Sequence, residues 1–330
     1  MNTRQVVTVV VLCALLLSFY FRFSLYERLT MEDRKCILSE WRESSYIPST
    51  RDSGSNYTIA MADRQETFKW LHLPEGSMEN QPEILIIVMS KTESFSRRNV
   101  LRRTWMNKKH SEMSKNGSMK ALFLVGVGGH PGLKQAVMLE AKLHRDMVVS
   151  DLEDTYVALP FKTLSLFLYA VAKSPRTRLI GKIDDDVMFF PDLLSVLREN
   201  GEIATDAPNM YGEVVQAGLD ANPDKIQQSK SIYNCPKFPS FLSGPFYLTT
   251  RNAAVKILEA SKHRNFLTFE DILVTGILAD DVGVHKKQLS MLNMYYNAKK
   301  GKIIVWHSKL SNDQYEEEYE SQQRRHKVIN

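Results

Sequence analysis

Cysteine is nearly absent from this chain of 330 residues: Cys13, Cys36 and Cys235 are all it has. No C-x-x-C pair occurs, which excludes a thiolate zinc module and a disulfide-built scaffold. Cys13 sits in an apolar run, so Cys36 and Cys235 are the one pair open to a bridge, and the sequence leaves that pairing undecided. An excess of one charge is also missing. Lys and Arg number 43 against 38 Asp and Glu, and the net +5 is dispersed, so no nucleic-acid partner is expected. Repeats are lacking. Long hydrophobic runs are lacking too, with one exception.

That exception, residues 6–21, is preceded by Arg4 and followed by Arg22 and Arg28. Its length is near the lower limit for a membrane span. A cleaved secretory leader is the rival reading, but Phe19, Tyr20 and Phe21 are bulky where a small-residue cleavage site belongs. With Phe23 and Tyr26 they fit the interfacial belt of a retained helix instead. The expectation is a cytosolic tail over 1–5, a transmembrane signal anchor over 6–23 and a single-pass type II membrane protein. Residues 24–82 are polar, punctuated by Pro48, Gly54, Pro74, Gly76 and Pro82, and read as a lumenal stem. Asn56 and Asn116 begin glycosylation tripeptides, which suit a lumenal body.

From Glu83 the texture changes. Continuous apolar runs at 84–89, 121–125, 147–149 and 179–183 read as strands buried on both faces. Helical patterns lie between them, beginning near Ser94 or Ser96 and covering 132–144 and 159–173. Strand and helix alternating in this way predict a parallel sheet covered on both faces, an α/β domain over 83–310. Further strands are expected at 211–215, 246–249 and 303–307, and helices at 252–261 and 272–279. Residues 311–330 are charged and read as a peripheral tail.

The fourth strand runs into three consecutive carboxylates, Asp184, Asp185 and Asp186, before an apolar run resumes at Val187. Three adjacent carboxylates repel one another and are costly to desolvate. A hard divalent cation, Mg²⁺ or Mn²⁺, offsets that cost; a solvated acidic turn is the plainer alternative. In open α/β sheets ligands bind beyond the carboxyl ends of the strands. The same edge should receive the arginines of the first helix and Asp151 at the end of the third strand. Arg98 and Arg102, four apart, share one helical face, unless the helix is simply basic and solvated. Asp151 stands at its strand end, with helix capping a cheap explanation. Lys162 and Lys182 suit either substrate contact or ion pairing with the acids. Glu270 and Asp271 open an amphipathic helix, where acids also favour the dipole. His307 closes the last apolar segment as a ligand or a structural histidine.

Taken together these segments resemble glycosyltransferase family 31, the β1,3-galactosyl- and β1,3-N-acetylglucosaminyltransferases. Arg97-Arg98-Asn-Val-Leu-Arg102-Arg-Thr104-Trp105 is similar to that family's R-R-x-A-I-R-x-T-W, and Phe123-Leu-Val-Gly126 to its F-L-L-G. Asp146 through Asp151, Asp154 and Tyr156 to Lys162-Thr163 is similar to D-I-x-x-x-D-F-x-D-x-Y…L-K-T. Lys182-Ile-Asp184-Asp185-Asp186-Val187 is similar to K-x-D-D-D-V, Glu270-Asp271-Ile272 to E-D-V, and Val305-Trp-His307 to the late histidine. The resemblance implies a GT-A type fold, a UDP-sugar donor, Mn²⁺ (or Mg²⁺), inversion at the anomeric carbon and a Golgi membrane location. It implies Asp186 as the first metal ligand with Asp184 and His307 beside it, and Asp184 and Asp185 supporting metal or ribose. Arg98, Arg102, Asp151 and Lys162 would hold the nucleotide, and Asp271, or Glu270, would act as base toward a glycan hydroxyl of a glycoprotein or glycolipid. A catalytically silent sugar- or cation-binding membrane protein, and a fringe-like transferase acting on O-fucose, are the alternatives. Three departures stand out. Pro245-Phe246 replaces the usual small residue, Thr275 replaces a glycine, and Ala158-Leu-Pro160 replaces N-L-T; the first two are expected on the acceptor side.

Overall fold

The computed structural model describes residues 56–74, 81–216, 238–294 and 301–328. The predicted anchor, most of the stem, Cys36 and Cys235 lie outside the described residues. Among the described residues no helix is long and apolar enough to cross a membrane.

The apolar runs form the strands expected of them. Ile84–Met89 (β4), Met119–Gly128 (β5), Met147–Glu153 (β6) and Leu179–Asp184 (β7) pair in parallel, in the order β7-β4-β5-β6. Every residue of β4 is buried, which is why its sequence shows no alternation. The parallel core is extended by antiparallel strands, Phe241–Thr250 (β10) beside β7 and Asn209–Val215 (β9) beyond it. His285–Gln288 (β11) pairs in parallel with β9 at the edge. The sheet is therefore mixed, with helices on both faces. On one face, alternate residues Ile84, Ile86 and Val88 pack with Val100 and Leu101 of Phe95–Arg103 (α1), with Trp105 just beyond it, and with Val137 and Ala141 of Pro131–His144 (α3). Leu159–Lys173 (α4) and Arg251–Ser261 (α6) pack against each other on the other face. The short helices Glu112–Lys115 (α2) and Leu193–Glu199 (α5) lie between these.

Three expectations need correcting. The folded domain does not begin at residue 83. Tyr57–Ala60 (β1) and Gln65–Phe68 (β2) form a hairpin, and Trp70–His72 (β3) pairs with β6 as the outer strand of the main sheet. Tyr57, Ile59 and Phe68 are buried, and Trp70 packs edge-on against Tyr169 of α4, so this part of the supposed stem belongs to the core. The tail is not peripheral either. Asn312–Val328 is a helix (α8) whose Tyr315 and Tyr319 are fully buried. The Tyr315 hydroxyl donates to the carbonyl of Val187 at 2.8 Å, and Tyr319 stacks on Phe190 at 5.2 Å. Finally, β5 runs on through the glycines expected to end it. A Cβ at Gly126 would stand 2.5 Å from the carbonyl of Leu152, so glycine permits the close approach where the β5–β6 register shifts.

Candidate active site

The acid triplet straddles a strand break. Asp184 ends β7, Asp185 and Asp186 make a turn, and Val187–Phe189 (β8) leaves in a new sheet. β8 pairs antiparallel with Val305–His307 (β13), which pairs in parallel with Leu292–Asn293 (β12). This ladder sets His307 opposite Val187 and brings its Nε2 to 3.2 Å from Asp186 Oδ2. Asp186 Oδ1 is buried with no hydrogen-bond partner. Burial works against the Asp186 charge, yet His307 and Arg97 outweigh it and hold the carboxyl below its ordinary range.

The other two acids are engaged by protein. In a strand, residues two apart share a face, and Lys182 Nζ lies 2.7 Å from Asp184 Oδ1. Asp184 is thereby committed through Oδ1 to Lys182. Asp185 Oδ2 accepts from the Ser90 hydroxyl at 3.0 Å. Burial raises both carboxyls. Among the described residues no group of three or more His, Cys, Asp or Glu side chains is placed to hold a metal ion.

The arginines divide differently from expectation. Arg98 and Arg102 do share a helical face, but it is the i, i+3, i+4, i+7 stripe of Leu101 and Trp105 that packs inward. Arg98, fully buried, forms a salt bridge with Glu140 and donates to the carbonyls of Lys91 and Thr92 and to the Ser90 hydroxyl. Arg102 is bidentate to Asp146 at 2.7 and 2.8 Å and also reaches Glu140. Both are spent on α1–α3–β6 packing, not on a diphosphate. The residue that faces the acids is Arg97. Its Nη2 donates to the Leu310 carbonyl at 2.6 Å, its guanidinium lies over the Tyr315 ring, and its Nη1 is buried without a protein partner. Spacing alone could not single it out, because Arg97, four before Leu101, borders the same stripe as Arg98 and Arg102.

Asp151 and Lys162 are also structural. Asp151 accepts the backbone N–H of Lys69 at 2.6 Å and pins β3 to β6. Lys162 is buried, 2.6 Å from Asp154 and 2.8 Å from the carbonyl of Ser90. Asp154 accepts the N–H and hydroxyl of Thr92. These bonds brace the segment after β4, whose Ser90 orients Asp185.

Across the cleft, Glu270 and Asp271 part company. Glu270 is buried; the Tyr247 hydroxyl donates to it at 2.6 Å, and Lys182 is 3.8 Å away. Burial raises its carboxyl above the ordinary range. Burial opposes the Lys182 charge, but Asp184 and Glu270 together prevail and raise it well above normal. Lys182 also donates to the Gly244 carbonyl at 2.5 Å, so one ammonium joins the triplet to the acid pair. Asp271 is half-buried and heads Ile272–Leu278 (α7), a helix wound in π turns, with Oδ1 accepting the N–H of Ile272 at 2.9 Å. Thr275 is buried beneath it. Its hydroxyl donates to the Asp271 carbonyl at 2.6 Å and accepts the N–H of Leu242 at 2.8 Å. Thr275 therefore ties α7 to β10 and does not face an acceptor. Phe246 is likewise core, paired with Ile183 and packed on Phe189. A cavity of about 300 Å³ lined by His110, Phe190, Asp192 and His326 opens at the far end of β8 and shares no residue with this cluster.

The site thus holds a half-exposed acid at a helix start and, joined to it through Glu270, Lys182 and Asp184, the strand end that leads to an acid–histidine pair, and known proteins give its kind. The galactosyltransferase family model matches residues 96–290. Over 315 residues the chain is 45% identical to the beta-1,3-galactosyltransferase bre-2 of Caenorhabditis elegans, covering 92% of this chain and 87% of that protein. It is 28% identical to the lactosylceramide 1,3-N-acetyl-beta-D-glucosaminyltransferase of Rattus norvegicus over 61% of this chain and 55% of that one. Among solved structures, a glycosyltransferase involved in glycosylation of the major capsid of PBCV-1 overlaps 73% of this chain and 100% of its own, at 14% identity and a TM-score of 0.41. An overlap of that size bears on neither fold nor site. The chain belongs to the galactosyltransferase family, glycosyltransferase family 31, and is a hexosyltransferase.

Proposed function

We propose that the protein, in a GT-A type fold, transfers a hexose from a UDP-sugar to a glycan hydroxyl, forming a β1,3 linkage with inversion. Galactose is the first candidate among donor hexoses, because the relative 45% identical over most of the chain is named a beta-1,3-galactosyltransferase. The observation that carries the reading is that Lys182, bonded to Asp184 and 3.8 Å from Glu270, brings the strand end that leads to the Asp186–His307 pair beside the helix start that carries Asp271.

Asp186 and His307 fit a divalent cation. Asp186 offers an orphaned buried oxygen, and His307 offers a ring nitrogen beside it. Two protein ligands suit Mg²⁺ or Mn²⁺ that completes its shell with substrate phosphates and water. Such an ion supplies Lewis acidity to the leaving diphosphate when bound. Arg97 directs its unpartnered Nη1 to the same anionic group. Lys182 fixes Asp184 and Glu270, keeping both out of the reaction and the site rigid. Asp271 accepts the proton of the attacking hydroxyl, with the Ile272 N–H holding its carboxylate and the Thr275 hydroxyl holding its backbone carbonyl. A base of this kind contributes about 10²–10⁴-fold. The setting is the lumenal side of the Golgi membrane, reached through the N-terminal anchor. The acceptor is a glycan on protein or lipid.

The test uses the full-length protein in detergent with Mn²⁺ and a panel of UDP-sugars, reading transfer by mass and UDP affinity by calorimetry. Asp186→Ala should abolish metal-dependent UDP binding. Asp271→Asn should keep UDP affinity within about threefold while transfer falls about 10²–10⁴-fold. Wild-type protein that neither binds UDP nor turns over any donor would overturn the reading, and full turnover by Asp271→Asn would remove that residue as base.

A further inference from the structure

Four large apolar or aromatic side chains are exposed among the described residues: Leu139, Leu143, Tyr156 and Val157. The leucines are one turn apart on α3, and nothing around them indicates what would cover them. Tyr156 and Val157 stand in the turn from β6 to α4, beyond the carboxyl end of a parallel strand, where such sheets bind ligands.

The turn is held firmly on both sides. Before it, Asp154 is locked to Thr92 and to Lys162, which reaches the carbonyl of Ser90, the residue whose hydroxyl positions Asp185. After it, the N–H groups of Ala158 and Leu159 bond back to the carbonyls of Thr155 and Tyr156, and α4 begins. A braced turn thus holds out an aromatic ring that is 64% exposed. Burying an aromatic ring is favourable, and the fold forgoes much of that gain here. The turn is tied through Asp154, Lys162 and Ser90 to Asp185 on the same sheet edge, and burial, then the charges of Asp271 and Glu270, raise the Tyr156 phenol.

A pyranose carries polar hydroxyls around its rim and an apolar face of C–H groups, which an exposed aromatic ring complements. We propose that Tyr156, with Val157 beside it, is the platform on which the terminal pyranose of the acceptor stacks, presenting its hydroxyl to Asp271. The platform selects acceptors by their apolar face and is a specificity residue, not a chemical one. This rests on the transferase reading above.

The experiment measures acceptor KM with lactose and with simple N-acetylglucosaminides, and UDP affinity by calorimetry, on the full-length protein. Tyr156→Ala should raise acceptor KM about three- to tenfold, the range of a lost aromatic contact, with UDP affinity unchanged within twofold. Tyr156→Phe, which keeps the ring, should restore the wild-type KM. An unchanged KM in Tyr156→Ala, or a parallel loss of UDP affinity, overturns the platform while leaving the donor chemistry standing. A wild-type protein without UDP affinity or transfer overturns the parent reading, and the platform with it.

Discussion

Lys182 holds two carboxylates from opposite sides of the cleft, and its neighbours make it hard to replace. Its ammonium is fully buried among Asp184, Glu270 and the carbonyl of Gly244, with the Tyr247 ring 5.9 Å away. Taking it away leaves two acids with no counter-charge in a place that already raises their pKa values. Breaking a buried ion pair from one side typically costs about 3–5 kcal/mol. Lys182→Met should therefore lower stability by that order in a denaturant titration. Lys182→Met combined with Glu270→Gln should recover part of the loss, because one stranded charge is removed with its partner. A double variant whose loss equals the sum of the Lys182→Met and Glu270→Gln losses would mean that the pair is not coupled.

Elements decide which of two adjacent arginines is buried in packing. Arg98 and Arg102 carry the family motif and share a face, but α1 turns that face inward onto Glu140 of α3. Burial opposes the Glu140 charge, and the two guanidinium groups more than reverse this, holding its carboxyl below the ordinary range. A folded pKa below the unfolded one stabilises the protein above about pH 4.3, and the contribution is lost as pH falls through the folded value. Glu140→Gln should lower the melting temperature at neutral pH and flatten its decline in acid, with UDP affinity unchanged. Arg97→Ala should weaken UDP binding about tenfold or more, as charge-assisted bonds to phosphate are worth about 1.5–3 kcal/mol, and should also lower the melting temperature through the lost Leu310 and Tyr315 contacts. The sequence made the strands legible because a run such as residues 84–89, apolar throughout, has few other uses. It showed that acids, arginines and a histidine converge on one edge. It did not show which partner each polar side chain takes. Asp184 and Lys182 are legible as strand neighbours only once their strand is fixed, and Thr275 and Phe246 look like acceptor-side departures until their hydrogen bond and packing are seen.

On the scale of the whole molecule, the ends of the folded unit were the least legible. β1 to β3 hide in a polar stretch because only Tyr57, Ile59, Phe68 and Trp70 face inward. α8 hides in a run of charges because its buried stripe is only two tyrosines, four apart, plus Gln322. Those tyrosines join α8 to the Val187 carbonyl and to Phe190, directly behind the acid turn. Tyr315→Ala should cost about 3–5 kcal/mol, and with about 2–4 °C per kcal/mol for a domain of this size the melting temperature should drop by about 10 °C. A drop under 2 °C, measured by circular dichroism, would return the helix to the periphery.

The β8–β13 ladder also has a consequence for how the protein is made. Asp186 and His307 are 121 positions apart, and the clamp on Val187 comes later still. At about 5–20 residues per second, the ribosome delivers the histidine some 6–24 s after the acid it serves. Until then the parallel core can assemble, and the three carboxylates lack the residue that tunes the last of them. The site is completed only when its last strand and helix dock, so a chain interrupted before β13 would carry most of the fold without the acid–histidine pair.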